Sequence, residues 1–194
     1  NLQQYDKSLP LLQKALVLME QNKWQDNPVY ILRISEMGRL YSSKEEYKKA
    51  IHFYTAAIEN AAKMYGKNHS YYAVYLNDLA LAYNDMGDYE KALPLFIETV
   101  GIIEKSVGKN NSSYILSLFS LANFYQNTGE YKKALPIFIE AIEIVKTLGT
   151  DDYNYDSLKQ GLGTLYRDMG EYEKSLPLLT EYIQITEKKF GKEY

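Results

Sequence analysis

From Ser70 to Met86 the apolar residues Val74, Leu76, Leu79, Ala80 and Tyr83 recur at mixed three- and four-residue spacings, the period of one face of an α-helix. Gly87 then supplies a residue able to take positive φ, and Asp88 offers an acceptor to the free N–H groups of a following helix. The pair is a stop followed by a start. Tyr89, Ala92, Leu93, Phe96, Ile97, Val100 and Ile103 continue at helical spacing to about Val107-Gly108, and Gly108-Lys-Asn-Asn-Ser112 turns the chain again. The pattern predicts a hairpin of two helices.

The hairpin recurs. Tyr5-Asp-Lys-Ser8-Leu9-Pro10, Tyr47-Lys-Lys-Ala50-Ile51-His52, Tyr89-Glu-Lys-Ala92-Leu93-Pro94, Tyr131-Lys-Lys-Ala134-Leu135-Pro136 and Tyr172-Glu-Lys-Ser175-Leu176-Pro177 are one phrase repeated, with tyrosines 42, 42, 42 and 41 residues apart. A fixed period of this size marks one supersecondary unit stacked on copies of itself. Gly129-Glu130 and Gly170-Glu171 repeat the first turn, and Gly66, Gly149 and Gly191 the second. The short last interval places a one-residue deletion between about Ile144 and Leu148. The units are then 24–65, 66–107, 108–148 and 149–190, preceded at 1–23 by a second helix without its first and followed at 191–194 by the start of a linker. We therefore expect a piece of a longer array. Leu9, Leu12, Leu16 and Met19 at one end, and Leu176, Leu179 and Ile183 at the other, form apolar faces that predict end-to-end self-association.

Pro94, Pro136 and Pro177 fall about five residues inside the second helix, where His52 replaces them in another unit, so the position is expected to face outward. Thirteen of the 20 tyrosines are periodic: the five that open the phrases, then Tyr41, Tyr83, Tyr125 and Tyr166, then Tyr30, Tyr72, Tyr114 and Tyr155. Recurrence at every period assigns them to packing rather than to a ligand.

Composition removes several classes of function. A net charge of −3 supplies no basic field for nucleic acid. The absence of cysteine excludes disulfides, thiolate metal sites and thiol nucleophiles. His52 and His69 have no converging ligands, so neither a metal nor a cofactor is expected. No run of 18 apolar residues appears, and Asn1-Leu-Gln-Gln-Tyr5 lacks the regions of a signal peptide. A soluble, cytoplasmic protein without membrane contact is expected.

The pairs Leu79-Ala80-x-x-Tyr83 and Leu121-Ala122-x-x-Tyr125, followed by Ala92 with Phe96 and Ala134 with Phe138, resemble tetratricopeptide repeats. Met37-Gly38-Tyr41-Ala50-Tyr54 and Leu162-Gly163-Tyr166-Ser175-Leu179 are weaker copies. The period exceeds the usual 34 residues, and Ala62, Glu104, Lys146 and Glu187 stand where a closing proline is customary. The long form is similar to kinesin light chain repeats and to bacterial arrays fused to caspase-like, signalling or ATPase domains. The resemblance implies an all-α, right-handed superhelix of antiparallel hairpins whose first helices line a concave binding face.

On that implied face lie Ser35, Asn77, Phe119 and Gln160; Arg39, Leu81, Asn123 and Thr164; and Ser42, Asn84, Gln126 and Arg167. Amides and hydroxyls suit the backbone of an extended peptide, because they donate and accept without a charged partner. Phe119 is either an apolar anchor or a packing residue within the stack. The lysine and arginine cluster with which family members hold a C-terminal carboxylate is missing, and Asp78 and Asp85 oppose an acidic ligand. No nucleophile, base or metal set converges, so no catalytic residue is assigned. The expectation is a non-catalytic scaffold binding a peptide or protein in the groove. The alternative is a regulatory or oligomerisation segment of a larger signalling or protease-like polypeptide.

Overall fold

A computed structural model of the chain describes residues 2–149 and 153–191. The described residues form helices throughout: α1 (Leu2–Gln21), a 3-10 turn at Trp24–Asp26, then α2 (Pro28–Ser43), α3 (Tyr47–Tyr65), α4 (Ser70–Asp85), α5 (Tyr89–Val107), α6 (Ser112–Asn127), α7 (Tyr131–Leu148), α8 (Tyr153–Asp168) and α9 (Tyr172–Phe190). The first helices α2, α4, α6 and α8 each have 16 residues. The second helices α3, α5 and α9 have 19, and α7 has 18. The missing residue thus falls at the end of α7. The chain divides into two compact units, Asn1–Ser106 and Val107–Tyr194.

Within each unit the hairpins close on small residues. Ala50, Ala92 and Ala134 are fully buried, and Ser175, at the same register, donates its hydroxyl to the Gly163 carbonyl at 2.7 Å. Gly38 lies against Tyr54 so closely that a Cβ would stand 2.6 Å from the ring, and Gly163 lies over Leu179 in the same way, 2.8 Å. The turns also repeat. Gly87, Gly129 and Gly170 take φ of 83°, 76° and 77°, and Glu45 takes φ 61° at the register where those glycines stand. At each turn a lysine of the phrase lies over the first-helix tyrosine: Lys49 over Tyr41, Lys91 over Tyr83, Lys133 over Tyr125 and Lys174 over Tyr166, 5.1 to 5.3 Å from the ring centres. The same lysines pair with Glu46, Asp88, Glu130 and Glu171. The phrase therefore encodes a charge-capped turn.

Three expectations change. Among the phrase tyrosines, Tyr89 and Tyr172 are 45% and 67% exposed, while Tyr47 and Tyr131 are half-buried; the Tyr5 side chain lies outside the described ones. Tyr30, Tyr41, Tyr72 and Tyr114 do occupy the core. Val74 and Ile97 are exposed although the periodicity counts them as core. Leu16 and Met19 of α1 are buried in the cluster formed with Tyr30, Ile34 and Tyr41, so the open residues of α1 are instead Leu11, Val17 and Leu18. Tyr30 ties α1 to α2 by donating to Glu20 Oε1 at 2.9 Å, and burial, with that carboxylate beside it, pushes its hydroxyl up to about 12. Pro94, Pro136, Pro177 and His52 all face outward.

The last hairpin departs from the pattern. Ile34, Leu76 and Leu118 give way to Lys159, and Ile31, Ala73 and Ile115 to Asp156. Both charges are buried and both are paired with α9: Lys159 Nζ reaches Glu181 at 2.6 Å and Lys189 Nζ reaches Asp156 at 2.6 Å. Lys159 also lies 4.0 Å above the Tyr155 ring. In the preceding hairpin the equivalent tyrosine and glutamate, Tyr114 and Glu140, are served by Lys109 from the linker. The cation has moved from the linker into the core.

Candidate functional site

The candidate residues lie on the first helices, of which α2, α4 and α6 begin at short polar caps. Asn27 and Asn111 accept from Val29 N and Ser113 N, and His69 Nδ1 accepts from Tyr71 N. His69 also stacks against Tyr65, with centroids 5.1 Å apart, so its role is a cap. These caps fix where each helix begins and therefore which side chains leave its exposed face.

In the first unit, Ser35 is fully buried and its hydroxyl donates to Asp78 Oδ2 at 3.0 Å. It joins α2 to α4 and has no face open to a ligand. Burial raises the Asp78 carboxyl above its ordinary value, while the Ser35 hydrogen bond and the Arg39 charge pull the other way without cancelling it. Arg39 and Leu81 are exposed and Ser42 is half-buried. Asn77 and Asn84 are half-buried, and Asn84 Nδ2 donates to Asp85 at 3.2 Å. The side-chain carbonyl oxygens of both asparagines are sheltered from water and have no donor among the described residues.

In the second unit, Phe119 packs edge-to-face on Phe138 at 6.1 Å and touches the space above Gly161. Part of its ring therefore belongs to the helix stack, and the residue is half-buried. Asn123 is half-buried and Gln160 exposed. Gln126 Nε2 donates to Thr164 Oγ1 at 3.2 Å and to Asp168 Oδ2 at 2.7 Å. Arg167 is exposed and pairs with Asp168 at 2.9 Å. Partial burial pushes Asp168 upward, but the hydrogen bonds from Gln126 and Arg167 outweigh it and hold the carboxyl below its usual value. The structure thus gathers Gln126, Thr164, Arg167 and Asp168 into one network. Asp78 and Asp168 are the members that sequence reasoning left out of the site. Their signal was available, since each lies one residue past a groove position on a first helix.

Among the described residues no group of three or more histidines and carboxylates could hold a metal ion, and no helix is long and apolar enough to cross a membrane.

Paired helices of nearly constant length that close on small residues define a helix-hairpin repeat scaffold. The chain belongs to the tetratricopeptide repeat family, whose model matches residues 30–105 and 113–188. A search of curated proteins finds no match. Three solved structures share the fold. The putative kinesin light chain nearly identical TPR-like repeats of Podosopora anserina are 21% identical with a TM-score of 0.74, over 96% of this chain and 89% of that one. BtubC (BKLC) from P. vanneervenii is 19% identical with a TM-score of 0.79, over 98% of this chain and 76% of that one. NprR, solved in complex with its cognate peptide NprX, is 18% identical with a TM-score of 0.73, over 96% of this chain and 52% of that one.

Proposed function

We propose that the chain is a scaffold that binds extended peptide segments of a partner protein on the exposed first-helix faces of its units, α2 and α4 in the first and α6 and α8 in the second. The observation that carries this reading is the amide face of α4, on which Asn77 and Asn84 are half-buried. An amide can donate to and accept from peptide backbone without a charged partner. The asparagines are seven residues apart on α4, or two turns, so both lie on one helix face. Exposed Leu81 between them offers an apolar contact.

In the second unit, Asn123 offers an amide on α6 and the half-buried Phe119 ring an edge for an apolar side chain. Arg39 in the first unit, and Gln160 and Arg167 in the second, are exposed polar groups on the same helices as these amides or on the neighbouring first helix. Ser35 and Gln126 act through the neighbours they hold. NprR, of like fold, was solved with a peptide bound, which supports a peptide as the ligand class. Display selection with a random peptide library, followed by affinity measurement for the wild type and for Asn77→Ala with Asn84→Ala, tests the reading. Binding weakened at least tenfold in the double variant is expected; unchanged binding removes the α4 asparagines from the site.

A further inference from the structure

A cavity of about 500 Å³ opens in the last hairpin between the start of α8 and the end of α9. Tyr155, Asp156 and Lys159 line one side, and Glu181, Ile185, Lys188 and Lys189 the other. On α7, which has α8 packed against it, the residues of corresponding register, Glu140, Ile144, Thr147 and Leu148, are likewise half-buried or exposed. The opening therefore belongs to the hairpin itself. What is peculiar to this hairpin is the charge inside it. Three units do without a cation at the register of Lys159 and bury Ile34, Leu76 or Leu118 there. A buried ion pair is commonly replaced by apolar residues at no loss of stability, so the fold gives no reason for Lys159. A ligand pocket does, because local rules of folding are broken where a site needs the residue. Burial pulls the Lys159 ammonium down, but Glu181 and Tyr155 outweigh it and hold the group above its ordinary value. The cation is permanent at neutral pH.

We infer that this cavity binds the phosphate monoester of a small organic molecule. Three lysines against two carboxylates leave one surplus positive charge among the lining residues. Asp156 is buried and tied to Lys189 at 2.6 Å, whereas the Glu181 side chain is 51% exposed. Glu181 is thus the acidic group free to turn to water. An anion that takes its place on Lys159 meets two net positive charges, which matches the charge of about −1.5 to −2 on a phosphate monoester. Each ammonium brings three donors for the phosphate oxygens. The volume falls in the range of about 300–1,000 Å³ usual for small-molecule sites and leaves room beyond the phosphate group. The Tyr155 ring and Ile185 are the apolar surface for the organic portion.

The probes are phenyl phosphate, inorganic phosphate and phenyl sulfate, titrated calorimetrically into the full chain at about pH 7.5, where the second phosphate proton has left. Saturable binding of phenyl phosphate is expected, at least fivefold tighter than either control. Lys159→Leu weakens it at least tenfold while thermal unfolding stays unchanged or rises, which distinguishes a lost ligand contact from a damaged fold. Glu181→Gln tightens it about threefold, because the competing carboxylate is gone; a merely structural partner of Lys159 gives no such gain. Asn77→Ala with Asn84→Ala leaves it unchanged, which separates this site from the peptide face of α4. No saturable binding at millimolar phenyl phosphate, equal affinity for phenyl sulfate, indifference to Lys159→Leu, or weaker binding in Glu181→Gln overturns the inference. A phosphotyrosine peptide that binds at least tenfold tighter than phenyl phosphate overturns it too, by giving the site to a modified protein.

Discussion

The Ser35 hydroxyl donates to the Asp78 carboxylate at 3.0 Å, joining two first helices across 43 positions of sequence. The bond gives the hydroxyl of the fully buried Ser35 a partner in the half-buried Asp78 carboxylate. It also ties stability to pH. Burial raises Asp78 above 3.8, so the folded chain holds this proton more tightly than the unfolded chain does. Below the unfolded value both states are protonated and the group contributes no penalty. As pH climbs through that value to the raised one, ionisation begins to favour unfolding, and the penalty persists at neutral pH.

Asp78→Asn keeps an acceptor for Ser35 and removes the charge. We expect the variant to be more stable than the wild type near pH 7, with the advantage vanishing by about pH 3. Urea titrations at both pH values measure it. Equal stability at neutral pH would show that Asp78 ionises there without penalty.

Two glycines inside helices are expected to respond in opposite ways. A Cβ on Gly38 meets the Tyr54 ring at 2.6 Å, whereas one on Gly101 meets nothing within 4 Å. Tyr54 is 3% exposed and has no room to retreat. Gly38→Ala should cost about 1–3 kcal/mol by overpacking, and Gly101→Ala in α5 should gain roughly 0.5–1 kcal/mol from backbone entropy and helix propensity. Thermal unfolding of both variants checks the sign of each.

Glu45 adopts the left-handed conformation that Gly87, Gly129 and Gly170 adopt elsewhere. A side chain there is strained, and Glu45→Gly should stabilise the chain by about 0.5–1 kcal/mol despite the entropy of the unfolded glycine. Glu45→Ala removes the same carboxylate but keeps a Cβ at positive φ and should not stabilise, so the pair of measurements isolates backbone strain from charge.

The ion pair of Lys159 sits where three other units place Ile or Leu. Glu181 is 51% exposed and stays hydrated when its partner is removed, so Lys159→Leu should leave stability unchanged or raise it. Lys159→Ala opens a void without an apolar gain and should destabilise by roughly 1–2 kcal/mol. Chemical denaturation of the two variants decides the order, and a leucine variant less stable than the alanine variant would mean that the charge itself organises α8 and α9.

Period, hairpin turns and helix boundaries were legible in the chain because Gly-Asp, Gly-Glu and the tyrosine phrase are local signals tied to backbone geometry. Even the one-residue deletion fell where the phase shift placed it, at the end of α7. What the phrase does was less legible. Its lysines act across the turn on Tyr41, Tyr83, Tyr125 and Tyr166, and such a partnership appears only once two helices have a crossing angle. The site was legible to the level of helix face and no further. Ser35 and Asn77 share a register, yet the first is sealed against Asp78 while the second keeps a carbonyl without a donor. Leu16 and Met19 were misplaced for a related reason: periodicity identifies an apolar face and is silent on which neighbour covers it.

The central claim, that the first-helix face holds a peptide, is tested most directly by library selection followed by affinity measurement on three proteins: the wild type, Asn77→Ala with Asn84→Ala, and Phe119→Ala with Asn123→Ala. Peptides that bind the α4 face are expected to lose at least tenfold in affinity in the first double variant, and peptides that bind the α6 face to lose affinity in the second. Selected peptides that bind all three proteins equally well would contradict it.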